Sequence, residues 1–196
     1  MNKIPFFILL LFLPVVLLSC KSNSVKKNNV ISGKVIKVVD GDTITILDFQ
    51  NRQTKIRLYG IDAPEKAQDF GNPSKEYLAN LVAGKDIVVT VIDIDRYGRS
   101  VGKINDGKEI AEEMLKSGLA WLYTAYCKIP ECRQWKELEV QAKTAKIGLW
   151  SNPTAQEPWK WRKAQNRNKK PDFKLRFRKV LGLDKNSLPK APPLHL

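Results

Sequence analysis

Between residues 30 and 105 the chain alternates short β-branched runs with turn residues, and this spacing constrains the fold more than any other feature. Residues 30–39 (VISGKVIKVV) and 43–49 (TITILDF) flank Asp40-Gly41-Asp42. Asp-Gly between two such runs marks a tight turn between antiparallel strands. Three more strand candidates follow at 54–61 (TKIRLYGI), 86–94 (DIVVTVIDI) and 99–105 (RSVGKIN), the last two turning at Tyr97-Gly98. Helices are predicted over 73–82, opened by Pro73-Ser74 and stopped by Gly84, over 109–116, stopped by Gly118, and over 134–146, stopped by Gly148. The third carries Leu138, Ala142 and Ala145 on one face.

Five strands with a helix between the third and fourth follow the order of a Greek-key OB-fold barrel. The expected fold class is therefore α+β, mainly β: a five-stranded OB-fold barrel with three packed α-helices. No secondary structure is expected beyond about residue 165, where Pro, Lys and Arg dominate.

Residues 4–18, IPFFILLLFLPVVLL, are uncharged and apolar but shorter than the roughly 20 residues a membrane-spanning helix needs. With Lys3 before them and a small residue after, they have the form of an export signal. Leu17-Leu18-Ser19-Cys20 resembles the lipobox of bacterial lipoproteins, which implies lipidation at Cys20 and tethering to the outer side of a bacterial membrane. The expected layout is a signal peptide over 1–19, a lipid-anchored linker over 20–29, a catalytic domain over 30–163 and a basic tail over 164–196. The net charge of +14 is unevenly spread. Residues 21–159 hold 21 basic and 18 acidic side chains, whereas 160–179 hold 10 basic and 1 acidic. The basicity thus belongs mainly to a segment that polyanions attract, whether nucleic acid or anionic lipid. Outside the cytoplasm Cys127 and Cys132 favour a disulfide. Half a zinc site is the alternative, and it lacks partners, because the single histidine is His195 near the C-terminus.

The placement of that histidine also removes catalytic machinery built on an imidazole. Carboxylates, arginines and a metal ion remain. Gly41-Asp42-Thr43 offers a carboxylate at a turn, and residues 57–65 (RLYGIDAPE) offer an arginine within a strand and two carboxylates as it leaves the sheet. Tyr97-Gly98-Arg99 adds an arginine past a hairpin. An EF-hand starting at Asp93 is excluded, because its twelfth position is Ile104 and not a bidentate glutamate.

Taken in order with Gly118-Leu119-Ala120-Trp121, Gly148-Leu149-Trp150 and residues 158–162 (PWKWR), these motifs resemble the thermonuclease (staphylococcal nuclease-like) family over roughly residues 31–163. The resemblance implies a calcium-dependent nuclease that hydrolyses DNA and RNA with little sequence specificity and leaves 3′-phosphate ends. It implies Asp42, Asp62 and the carbonyl of Ala63 as Ca2+ ligands. Glu65 would activate the attacking water, and Arg57 and Arg99 would clamp the phosphate. Tyr97 and Tyr126 resemble positions that contact the nucleotide, whereas Trp121, Trp150, Trp159 and Trp161 read as packing residues. A monomer without protein partners is expected. The alternative function is a non-catalytic nucleic-acid-binding module on the same barrel.

Overall fold

The computed structural model describes residues 29–169. The leader, Cys20 and most of the linker lie outside these residues, as do His195 and the tail beyond residue 169. Among the described residues no helix is long and apolar enough to cross a membrane.

Five strands close into a barrel in the order β1-β2-β3-β6-β5: β1 (Asn29–Val38), β2 (Thr43–Leu47), β3 (Gln53–Leu58), β5 (Asp86–Ile94) and β6 (Ser100–Ile104). Four of the five pairings are antiparallel, and β3 with β6 is parallel. The register shifts between Val35 and Lys37 on β1, and between Val91 and Asp93 on β5. Such irregularities bend and twist a strand, as a small closed barrel requires. Inward-facing Ile44, Ile46, Ile56, Leu58, Val89 and Ile104 are all 1% exposed or less.

Two registers matter for the site. Thr43 pairs with Arg57 across β2 and β3, and the parallel pairing sets Ile56 opposite Ser100, so Asp42, Arg57 and Arg99 meet at one end of three neighbouring strands. A two-residue strand, β4 (Ile61–Asp62), then pairs with β7 (Trp121–Leu122) outside the barrel.

The helices extend the same core. Helix α1 (Gly71–Val82) buries Ser74, Leu78 and Val82 at a four-residue spacing. Helix α2 (Ile110–Lys116) buries Ile110, Ala111, Met114 and Leu115, with acids in its first turn and Lys116 in its last, as the helix dipole favours. Of the face predicted for α3 (Cys132–Thr144), Ala142 is buried and Leu138 packs against the core, whereas Ala145 is exposed just past the helix end; Trp135 and Glu139 also point inward. A fourth helix, α4 (Pro158–Lys169), is additional to the three expected; it opens with Pro158, whose fixed φ suits a first turn, and runs past residue 165, beyond which no secondary structure was expected. Cys127 and Cys132 form the expected disulfide.

The two Gly-Leu motifs dock backbone to backbone. Leu149 N–H donates to the Gly118 carbonyl at 2.9 Å, and a Cβ on Gly118 or Gly148 would strike the other segment's main chain. Their contact sets Trp121 edge-on to Trp150 with centroids 4.1 Å apart, and the Lys143 ammonium covers both rings.

Glu109, at the start of α2, has one carboxylate oxygen buried without a partner. Burial, only partly offset by Lys103, raises its pKa from 4.5 to about 7. Over that interval the folded protein holds a proton that the unfolded chain releases, so stability falls as pH rises from about 4.5 to 7. Glu109→Gln should flatten this slope and leave the variant more stable than the parent by about 1–3 kcal/mol at pH 8. Urea unfolding at pH 5 and pH 8 measures both effects; a parallel pH dependence in the two proteins would rule out Glu109 as its source.

Candidate active site

Asp42 leaves the Asp-Gly turn at the entry to β2 and is 6% exposed. Its Oδ1 accepts from Thr43 Oγ1 at 2.8 Å and its Oδ2 from Ala63 N–H at 3.0 Å, and Oδ2 forms an ion pair with Arg57 Nη1 at 2.9 Å. Burial works against ionisation, but Arg57 and these two donors outweigh it and hold the carboxyl below its usual range. Neighbouring Asp40 shares the burial without the arginine. Burial and then the Asp42 charge raise its pKa to about 7. The turn can come this close to the loop after β4 only because residue 41 is glycine: a Cβ there would collide with Ser74 Oγ and lie 2.7 Å from Ala63 Cβ.

Asp62, on β4, is 1% exposed. Arg57 Nη2 donates to its Oδ1 at 2.8 Å, while Arg57 Nη1 also donates to the Ile61 carbonyl at 3.2 Å. Burial raises the pKa of Asp62, opposed chiefly by hydrogen bonds from Arg162. The strand that carries Asp62 is held from behind: Glu139 on α3, 2% exposed, accepts from Leu122 N–H at 3.1 Å on β7. Lys136 and Lys143 pair with its other oxygen at 2.6 and 3.2 Å.

Glu65 follows three residues later and is half-buried. Arg99 donates from Nε to Asp95 Oδ2 at 2.7 Å and from Nη1 to Thr43 Oγ1 at 3.4 Å. Thr43 thereby links Arg99 to Asp42. Tyr97 and Tyr126 are 69% and 65% exposed. The guanidiniums of Arg96 and Arg99 lie 4.9 and 5.7 Å from the Tyr97 ring, and Tyr126 rests against Tyr123.

Asp42, Arg57, Asp62 and Ala63 therefore converge, with Arg99 joined through Thr43 and Glu65 through Arg162. Three further participants escaped the sequence reading. Arg162 on α4 donates to Asp62 Oδ2 at 2.7 Å and to Glu65 Oε1 at 2.7 Å. Tyr123 stacks on Trp159 at 4.9 Å with rings 4° from parallel, seating α4 over the site. Glu139, buried on α3 behind β7, is the third. A proline-opened helix after Gly148 was the available signal for α4, hidden by the Lys and Arg richness of the following tail.

The donor set consists of carboxylates and a carbonyl, which suits a hard cation such as calcium. The Ala63 carbonyl accepts no hydrogen bond from the described residues. Among those residues no three carboxylate, imidazole or thiolate groups already converge as a metal cage, because guanidiniums stand between the acids.

Comparison with known proteins agrees with this geometry. Residues 55–152 match the family model described as staphylococcal nuclease homologue. The chain is 42% identical over 143 residues to a micrococcal nuclease of Shigella flexneri, covering 67% of this chain and 80% of that protein. It is 42% identical over 134 residues to an uncharacterized endonuclease of Escherichia coli O157:H7, covering 67% and 85%. An uncharacterized 38.1 kDa protein of Capnoides sempervirens is 43% identical over 150 residues, but there the match spans 76% of this chain and 42% of the relative. The family match and the nuclease names of these relatives make this a nuclease-type hydrolase. The chain belongs to the staphylococcal nuclease homologue family.

Gly41→Ala should unsettle both carboxylate-bearing segments at once. We expect a loss of about 2–3 kcal/mol of stability, since an overpacked site forces backbone shifts, together with a fall in nuclease activity. Thermal unfolding and a nucleic-acid digestion measure these; unchanged stability would mean that the turn and α1 separate freely.

Proposed function

We propose that this protein is a calcium-dependent nuclease that hydrolyses phosphodiester bonds of DNA and RNA with little sequence preference, water attacking phosphorus to leave 3′-phosphate ends. The observation that carries this reading is the pairing of Asp42 and Asp62 with Arg57 at the barrel end, with Glu65 joined to Asp62 through Arg162. The names of the Shigella and Escherichia coli relatives point the same way.

Asp42, Asp62 and the Ala63 carbonyl hold the cation, which when bound supplies positive charge to polarise the scissile phosphate and acidify water. Glu65 orients the attacking water and takes its proton. Arg57, its fork held by Asp42 and Asp62, keeps a fixed positive charge beside the phosphate, so stabilising the charge that builds on phosphorus needs little reorganisation. Arg99, steadied by Asp95, offers the second fork. Tyr97 and Tyr126 offer exposed rings on which unpaired bases stack. Contacts made chiefly to phosphate carry no sequence information, hence the broad specificity. The N-terminal segment directs export, and lipid at Cys20 tethers the domain to the outer side of a bacterial membrane.

Digestion of single-stranded DNA with calcium or with a chelator tests the reading. Cleavage should require calcium, and Glu65→Gln should lower kcat by at least about 100-fold with little change in folding. Tight binding without turnover under any metal would mark a non-catalytic binding module instead.

A further inference from the structure

Asp42 and Asp62 differ in how their oxygens are used. Both oxygens of Asp42 are engaged from within the barrel and its adjoining loop, by Thr43, Arg57 and the Ala63 N–H. On Asp62, Arg57 reaches Oδ1, and the hydrogen bond to Oδ2 comes from Arg162 at 2.7 Å. Arg162 Nη1 also donates to Glu65 Oε1 at 2.7 Å and to Asp62 Oδ1 at 3.2 Å. A single guanidinium thus lies across the two carboxylates nearest the expected chemistry.

Its origin is outside the barrel. Helix α4 lies beyond the stretch matched by the family model, which ends at residue 152, and it is pinned by the Trp159 ring, stacked on Tyr123 and edge-on to Trp121. The helix can therefore stay docked while the arginine side chain moves. That side chain is 38% exposed, against 13% for Arg57, so it returns to water at lower cost. An open groove of about 510 Å³, lined by Ala67, Trp161, Arg162, Gln165 and Asn166, lies beside it.

We propose that Arg162 is a positioning residue that occupies the cation's place: its guanidinium competes with calcium for Asp62, while also holding Glu65, and so sets the affinity of the centre for metal. Without calcium it adds a second cation to Asp62, which Arg57 already pairs, and supplies the ion pair of Glu65. When calcium binds, it gives up Asp62 Oδ2 and Glu65 Oε1, while Arg57 remains. The proposal rests on the calcium reading above, and binding measurements can separate the failure of one from that of the other.

Calcium titration by isothermal calorimetry of the chelator-treated full chain, of Arg162→Gln and of Arg162→Lys supplies the test, with thermal unfolding of each in chelator and in calcium. Arg162→Gln should bind calcium about tenfold more tightly than the parent, with Arg162→Lys between them. The Gln variant should melt lower than the parent in chelator and gain more from calcium. A merely structural clamp would lower the melting temperature without tightening binding, so equal or weaker affinity in folded Arg162→Gln overturns the proposal alone. If neither parent nor variants bind calcium, the calcium reading falls and the proposal with it.

Discussion

Asp42 and Asp62 are both nearly withdrawn from water, and two carboxylates sharing one buried end of a barrel require positive charge between them. Arg57 supplies it, at 2.9 Å to one and 2.8 Å to the other. Removing one member of such a buried group typically costs about 3–5 kcal/mol, because the charges left behind lose their compensation. The planar fork matters as much as the charge, since it meets Asp42, Asp62 and the Ile61 carbonyl together, which an ammonium on a flexible stem would not. The β2–β3 register sets Thr43 opposite Arg57, so the same pairing brings Asp42 beside Arg57.

Around this pair the fold builds a frame in which distant segments each hold one part. The β4–β7 pairing holds the main chain at Asp62, and Glu139 holds β7. The contact between Gly118 and Leu149 brings Trp121 and Trp150 together, and Trp121 in turn meets Trp159 of α4. A site assembled this way is preorganised: its donors are oriented before substrate arrives, as electrostatic stabilisation of a developing charge requires. Arg162 is the exception, being held from the periphery and more exposed than the groups it pairs with.

What could be read from the sequence was what is local in it. Asp-Gly between β-branched runs announced the β1–β2 turn, and residues 57–65 carry Arg57, Asp62 and Glu65 within one strand and its exit. β-Branched runs bounded by turn residues located all five barrel strands. The remainder depends on juxtapositions that spacing does not encode. Arg162 reaches Asp62 across 100 residues of chain, from a helix whose composition looked like the start of a solvated tail. The β4–β7 pair is two residues long, too short to leave a pattern. Glu139 is a buried acid on a mostly charged helix, and only the packing of Trp135 beside it determines which face turns inward. Ala145 was placed on the wrong side because the helix stops before it.

The central physical claim is that Arg57 organises Asp42 and Asp62 into one half of a cation site and remains in place when the cation binds. A crystal structure of the protein grown with calcium examines it most directly. The expected result is a calcium ion contacting Asp42 and Asp62, with both Arg57 ion pairs intact. A calcium ion bound away from these carboxylates, or an Arg57 side chain displaced from either of them, would contradict it.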